Sequence, residues 1–201
     1  MNFTKLSNSL QLKGYKVQCF DNHVEASNYL NASIDETNVA FGGSVTLQQM
    51  NLFDLLSSHN TVLWHWRRPE GKTASEIRRE AMVSDIYISS VNAIAETGEI
   101  INIDGTCNRI SSMLFGHKIL YLVIGKNKIA PDFSSALDRA RNIAAPMNAK
   151  RLNRKTPCAV KGDRCYNCSS PERICNALSV FWQKPDSMEV EVILIQEDLG
   201  Y

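Results

Sequence analysis

The chain has 201 residues, enough for one good-sized core, with 44% hydrophobic and 21% charged residues as in ordinary globular proteins. A formal charge of +1 lacks the basic excess that general nucleic-acid binding requires, so no nucleic-acid partner is expected. No apolar run reaches membrane-spanning length, and the start MNFTKLSNSLQLKGYK lacks the parts of a secretory signal, so a cytoplasmic setting without a membrane span is expected.

In chain order, Phe3, Leu6, Leu10 and Leu12 recur at roughly helical spacing, and Gly14 can end that helix. A strand is predicted at 16-KVQCF-20 and a helix at 22-NHVEASNYLNAS-33. The strand 38-NVAFGG-43 runs into two glycines, and Ser44 is placed to cap one helix through 45-VTLQQMNLFDLLSS-58. A strand 61-TVLWHW-66 precedes the helix 73-TASEIRREAMVS-84, where Thr73 and Glu76 are spaced as a capping box. The segment 86-IYISSVNAIAETGEIINID-104 reads as two strands joined at 97-TG-98. A short helix 108-NRISSMLFG-116, an apolar strand 118-KILYLVIG-125 and a helix 132-DFSSALDRARNIAA-145, stopped by Pro146, come next. Composition then shifts at about residue 147 toward Asn, Lys, Arg and Cys. Two strand-like runs, 177-ALSVFW-182 and 190-VEVILIQE-197, close the chain. Helices alternating with strands imply an α/β fold around a largely parallel sheet, in one domain over 1–201 with a cysteine-rich excursion at about 147–176.

Four of the six cysteines, Cys158, Cys165, Cys168 and Cys175, lie in one segment spaced C-x6-C-x2-C-x6-C. In a reducing compartment such a set is more often a metal site than a pair of disulfides or four free thiols. Lys161, Arg164 and Arg173 lie among them, where their charge would favour thiolates. The single C-Y-N-C knuckle suits tetrahedral zinc and an iron–sulfur cluster alike, and the spacing leaves that choice open.

Three further stretches carry candidate chemistry. Gly42, Gly43 and Ser44 form a strand-to-helix turn of the kind that receives anionic ligands, although Gly-Gly also serves as a plain tight turn. The block 92-NAIAETGEIINIDGTCNRI-110 gathers Asn92, Glu96, Asp104, Asn108 and Arg109. Glu96 and Asp104 are the carboxylates available for acid–base work, and Arg109 could hold a carboxylate or phosphate in a fork. For any one of them the plainer reading is a hairpin polar group or surface ion pair. Asn127 and Lys128 follow the most apolar strand, at the carboxyl edge where open α/β sheets bind ligands. No G-x-G-x-x-G, no phosphate-loop sequence and no G-x-S-x-G occurs, so neither NAD nor a flavin is expected. The four histidines lack ligand spacing, and Trp64 and Trp66 read as packing.

Taken jointly, 42-GGSVTL-47, 91-VNAIAETGEIINIDGTCNRI-110, 125-GKNKIAPD-132, 143-IAAPMNAKRLNRKTPC-158 and 165-CYNCSSPERICN-176 resemble the lactate-utilization (LUD) domain family over roughly residues 38–200. The resemblance implies a three-layer α/β/α fold similar to the sugar-phosphate isomerase and coenzyme A transferase-like group. It implies a pocket lined by the glycine turn, the 92–109 block and Asn127–Lys128, with a redox-associated role in lactate or related acid metabolism. The implied partners are a small anionic metabolite and iron–sulfur oxidoreductases, and a homodimer is left open. Family context tilts the cysteine site toward iron–sulfur over zinc. Two departures stand out: Cys107 where the family's D-G-T-G-N-R run leads one to expect glycine, and Asn167 where aspartate is expected. The competing reading is an isomerase- or transferase-type enzyme on a phosphorylated or acyl substrate, using Glu96 or Asp104 and a structural zinc. A third is a non-catalytic ligand-sensing subunit.

Overall fold

The computed structural model describes residues 3–201. Its centre is a six-stranded sheet in which every pairing is parallel. The strands are β1 (Lys16–Phe20), β2 (Asn38–Phe41), β3 (Thr61–Trp64), β4 (Ile86–Ser89), β7 (Ile119–Gly125) and β10 (Glu189–Ile195), in the order β1-β10-β7-β4-β2-β3. Strands this apolar suit burial on both faces, because alternate residues point to opposite sides. Val39, Phe41, Ile86, Ile88, Tyr121, Val123, Ile193 and Ile195 pack on one side with helices α2 (His23–Ser33), α3 (Val45–Gln49) and α4 (Leu52–Leu56). Ala40, Tyr87, Leu120, Leu122, Ile124, Val190, Val192 and Leu194 pack on the other. That second layer contains α1 (Thr4–Leu12), α5 (Ala74–Ala81), α6 (Asn108–Leu114) and one face of a smaller sheet.

The smaller sheet joins β8 (Ile129–Ala130), β5 (Ala93–Ala95), β6 (Ile100–Asp104) and β9 (Ala177–Phe181) in that order. Its Ile94, Ile100 and Phe181 enter the main core. Ala93, Ala95 and Ile101 face the other way, against Ala136 of α7 (Phe133–Arg139) and Ala140.

The three-layer, mostly parallel architecture is as expected, and so is the Thr73–Glu76 capping box. Four details differ. The stretch 86–104 is three strands: after β4 the chain leaves the large sheet, and only β5 and β6 form the predicted hairpin. The helix expected over 45–58 breaks at Asn51, whose left-handed φ of 50° is tolerated by a short polar side chain. Pro146 does not stop its helix. Residues Ala140–Ala144 form a widened π turn, Ala145 N–H reaches back to Ala140 O, and α8 (Ala145–Arg151) follows directly. Proline lacks the N–H and crowds the preceding turn, so placing it next to a widened turn removes both conflicts. The cysteine segment contains a helix that its composition did not announce, α9 (Pro157–Lys161). Among the described residues no helix is long and apolar enough to cross a membrane.

Candidate functional site

The carboxyl ends of β3, β2, β4 and β7 open onto one cavity of about 360 Å³. This is the edge at which parallel α/β sheets take ligands. His65 and Trp66 follow β3, Gly43 and Ser44 follow β2, Ser90 and Asn92 follow β4, and Lys128 follows β7. The opposite wall comes from Asp104, Asn108 and Arg109 at the start of α6, from Asn148 and Arg151 on α8, and from Arg173 and Asn176 of the cysteine segment. Five arginines, Arg78, Arg109, Arg151, Arg154 and Arg173, line it together with Lys128, against Asp104 as the one acidic side chain.

The sequence candidates divide into three groups. Gly43, Ser44, Asn92, Asp104, Asn108, Arg109 and Lys128 line the cavity. Gly42 and Asn127 stand behind it. A Cβ on Gly42 would lie 2.6 Å from Ser89 Oγ and 3.1 Å from Tyr87 Oη, so only glycine lets the β2 turn pass here. Asn127 ties down the tail: its Oδ1 accepts from Leu199 N–H at 3.1 Å and its Nδ2 donates to Gly200 O at 3.3 Å. Glu96 is elsewhere. It pairs with Lys5 at 2.7 Å and is not among the cavity's lining residues, which leaves Asp104 as the one of the two candidate carboxylates at the cavity. Cys107 does not line the cavity either.

Arg109 also has a different task from the one its sequence suggests. Nη1 donates to Asn102 Oδ1 at 2.5 Å and Ser90 O at 3.3 Å, and Nη2 donates to Ile103 O at 2.8 Å and Asn92 Oδ1 at 3.3 Å. Nε lies 3.6 Å from Asp104 Oδ2. Its donors are committed to the protein, so it braces the 90–104 wall where a free fork was expected. Asp104 Oδ1 accepts from the N–H groups of Thr106 and Cys107 at 3.1 and 3.0 Å, shaping the turn into α6. Its Oδ2 is buried with no hydrogen bond among the described residues.

Lys128 is buried, and Nζ donates to Thr46 Oγ1 and Ser90 Oγ, each at 2.9 Å. Burial, reinforced by the positive charges of Arg139 and Arg109, pulls its pKa down to about 7. His65, which sequence reasoning passed over, has a pKa lowered to about 4, first by burial and then by Arg78. Its imidazole is therefore neutral at pH 7. Trp66 was read as packing. It stacks on Trp64 at 5.2 Å but also lines the cavity, with the Arg151 guanidinium 4.8 Å over its ring. Arg151 Nε donates to Tyr201 Oη at 2.9 Å and Asn148 Oδ1 at 3.1 Å, so α8 and the tail form one wall. Arg78 Nε is buried without a hydrogen-bond partner among the described residues. The arginines were missed because helical spacing alone reads them as solvated. His65 had a usable signal, its place at the carboxyl end of a predicted strand.

The cysteine segment packs against the site. Arg173 Nε and Nη1 donate to the carbonyls of Cys175 and Cys168 at 2.9 and 2.7 Å. Lys161 and Arg164 lie over the Tyr166 ring at 4.5 and 5.4 Å, so these cations are engaged away from the sulfurs. Cys165 Sγ accepts from Asn167 N–H at 3.3 Å, and Cys165 and Cys175 line a second cavity of about 320 Å³ beside Arg141 and Arg173. All four thiols are free. Among the described residues no three His, Cys, Asp or Glu side chains are gathered as a metal-holding group.

A family model described as the LUD domain matches residues 3–195. Among solved structures, a DUF162 family protein from Deinococcus radiodurans has the same fold with a TM-score of 0.55 at 11% identity, covering 95% of this chain and 94% of that one. Looser overlaps occur with eIF2B beta from Chaetomium thermophilum (TM-score 0.37, 11% identity, 56% of this chain and 44% of that one). A ribose 5-phosphate isomerase from Plasmodium falciparum overlaps similarly (TM-score 0.35, 15% identity, 54% and 52%). No curated protein matches. With its cavity at the carboxyl edge of a parallel sheet and a family match running nearly end to end, the chain belongs to the LUD domain family.

Proposed function

We propose that this protein binds a small anionic metabolite in the cavity, as a redox-associated component of lactate or related organic-acid metabolism. The observation that carries this reading is the wall of five arginines around one acidic side chain, in a chain whose total charge is only +1. Cations lining a confined, partly desolvated space attract and orient anions far better than the same charges in water. Arg78 is the side chain with an uncommitted buried donor, and it would take part of the ligand's charge. Calorimetry and thermal shifts with L-lactate, pyruvate, ribose 5-phosphate and acetyl-coenzyme A, beside lactamide and ribose as neutral counterparts, test it. One anionic class should bind and raise the melting temperature, and Arg78→Gln should weaken it about tenfold, or roughly 1.4 kcal/mol. Equal binding of neutral counterparts, or indifference to the Arg78 change, sinks the reading.

The four cysteines belong to this proposal as a second site, iron–sulfur before zinc, whose ligand set would have to close on loading. The N–H of Asn167 on Cys165 Sγ supports it, because such bonds accompany sulfurs presented from a tight turn. Iron–sulfur oxidoreductases would then be the partners. Anaerobic reconstitution with iron and sulfide, and separately with zinc, distinguishes the cases. Stoichiometric uptake lost in Cys165→Ser/Cys168→Ser supports a centre, and uptake of neither leaves four ordinary thiols.

An enzymatic reading of the isomerase or transferase type is favoured by Asp104 alone. Its Oδ2 in the cavity wall, without a hydrogen bond among the described residues and 3.6 Å from Arg109 Nε, would move a proton or attack a phosphorylated or acyl substrate once the ligand uncovers it. Once a ligand is known, turnover that survives in Asp104→Asn excludes this role.

A further inference from the structure

Lys128 is an amine placed where an ammonium ion is poorly stabilised. Only 4% of it is exposed, and the charges acting on it are those of two cations, Arg139 and Arg109. Burial beside like charge is the environment that leaves a lysine neutral and nucleophilic at ordinary pH. The hydrogen bonding fits that state. Thr46 Oγ1 donates its own hydrogen to Leu199 O at 3.2 Å, so it can only accept from Lys128, and Ser90 Oγ is the second acceptor. A neutral amine has two hydrogens and one lone pair. Two hydroxyl oxygens take the hydrogens, and the lone pair is left. Lys128 is also one of the residues lining the cationic cavity.

We infer that Lys128 is a nucleophilic amine that forms an imine with a small 2-oxo acid held in this cavity. The inference rests on the reading of the cavity as an anion site. The carboxylate of the ligand supplies the negative charge that the wall lacks, and its carbonyl carbon meets Nζ. The Nζ lone pair forms the N–C bond, and one of the two amine hydrogens passes to the carbonyl oxygen to give a carbinolamine. That oxygen then leaves as water with the two hydrogens of the amine, and a C=N bond remains. No electrons are exchanged with an outside donor or acceptor.

The test is reductive trapping. Wild-type protein is incubated at pH 7 with glyoxylate and cyanoborohydride, then peptide-mapped by mass spectrometry. Acetaldehyde, the same carbonyl without a carboxylate, serves as the neutral probe. With glyoxylate, Lys128 should be labelled at least about tenfold faster than an exposed lysine such as Lys118. With acetaldehyde that preference should fall to near one. Lys128→Arg, which keeps a cation at this position, should lose the label while its far-UV spectrum stays that of the wild type. Should that variant not fold, Lys128→Met provides the same comparison with a neutral side chain. Labelling of Lys128 no faster than Lys118 overturns the inference. If L-lactate and glyoxylate still raise the melting temperature, the imine alone has failed and the anion site stands. If no anion shifts it and both probes label Lys128 alike, the selection of an oxo acid has failed together with the anion site.

Discussion

Cys107 adopts a left-handed backbone, with φ at 66°, at the entry to α6. Side chains with a Cβ pay about 1–2 kcal/mol for that conformation and glycine does not. The turn is imposed by Asp104, whose Oδ1 holds the N–H groups of Thr106 and Cys107. Glycine is thus the residue the backbone asks for here, and the thiol does not reach the cavity wall. Cys107→Gly should stabilise the fold by about 1 kcal/mol, read as a higher denaturant midpoint at unchanged slope. An unchanged or lower midpoint would show that the thiol contributes packing that offsets the strain.

His65 gives a second prediction of the same kind. Its pKa falls to about 4 in the folded state, from an ordinary value of 6.5. The unfolded chain therefore binds the proton more tightly, and the stability this group contributes is complete above pH 6.5 and lost as pH falls toward 4. The full effect is bounded at roughly 3 kcal/mol, reduced by whatever solvent reaches the ring. His65→Gln should flatten the acid side of the stability curve between pH 6.5 and 4 while changing little at pH 8. His117, buried and likewise lowered, keeps part of the slope in that variant. An unaltered curve would mean that His65 is as solvated folded as unfolded.

The elements explain why much of the architecture was legible. Both faces of the large sheet are buried, so β2, β4, β7 and β10 are runs of Val, Ile, Leu and aromatic residues that stand out without tertiary knowledge. Of the smaller sheet, the β5–β6 hairpin and β9 are legible, but not that they leave the large sheet and add β8, because β5 and β8, three and two residues long, are too short to show a period. The site was legible where it sits on strand ends and turns, as at Gly43, Ser44, Asn92, Asp104 and Lys128. It was illegible where helices and the cysteine segment deliver arginines across the fold, as at Arg78, Arg151 and Arg173. The cysteine segment is docked by close backbone contact. Asn176 N–H donates to Asp104 O at 3.0 Å, and Asn176 Nδ2 donates to Gly105 O at 3.0 Å. A Cβ on Gly105 would come within 2.7 Å of Ile174 O. Because that neighbour is backbone, Gly105→Ala should push residues 173–176 away at a cost of about 1–3 kcal/mol. Faster amide exchange in 164–176 and weaker anion binding should accompany it, since Arg173, Ile174 and Asn176 line the cavity. Native exchange in that variant would show that the two segments do not depend on each other.

For the molecule as a whole, the near-neutral charge conceals a strong segregation. The cavity wall carries five arginines against one acidic side chain, an excess of four, while the whole chain carries a formal +1, which leaves the remainder, Lys128 included, at −3. An approaching anion is repelled weakly by most of the surface and attracted at one mouth, so its encounter rate depends on how far that local field extends. The field is screened over about 10 Å at 0.1 M salt and about 3 Å at 1 M. The association rate of a ligand carrying two or more negative charges should therefore fall steeply between low and high salt. Dissociation, governed by contacts inside the partly desolvated cavity, should change much less. Stopped-flow or biolayer measurements with ribose 5-phosphate, or with whichever anion calorimetry selects, resolve the two rates. A salt-insensitive association rate would mean that the ligand is recognised by shape and hydrogen bonding, and that the arginines serve to hold α5, α8 and the cysteine segment in place.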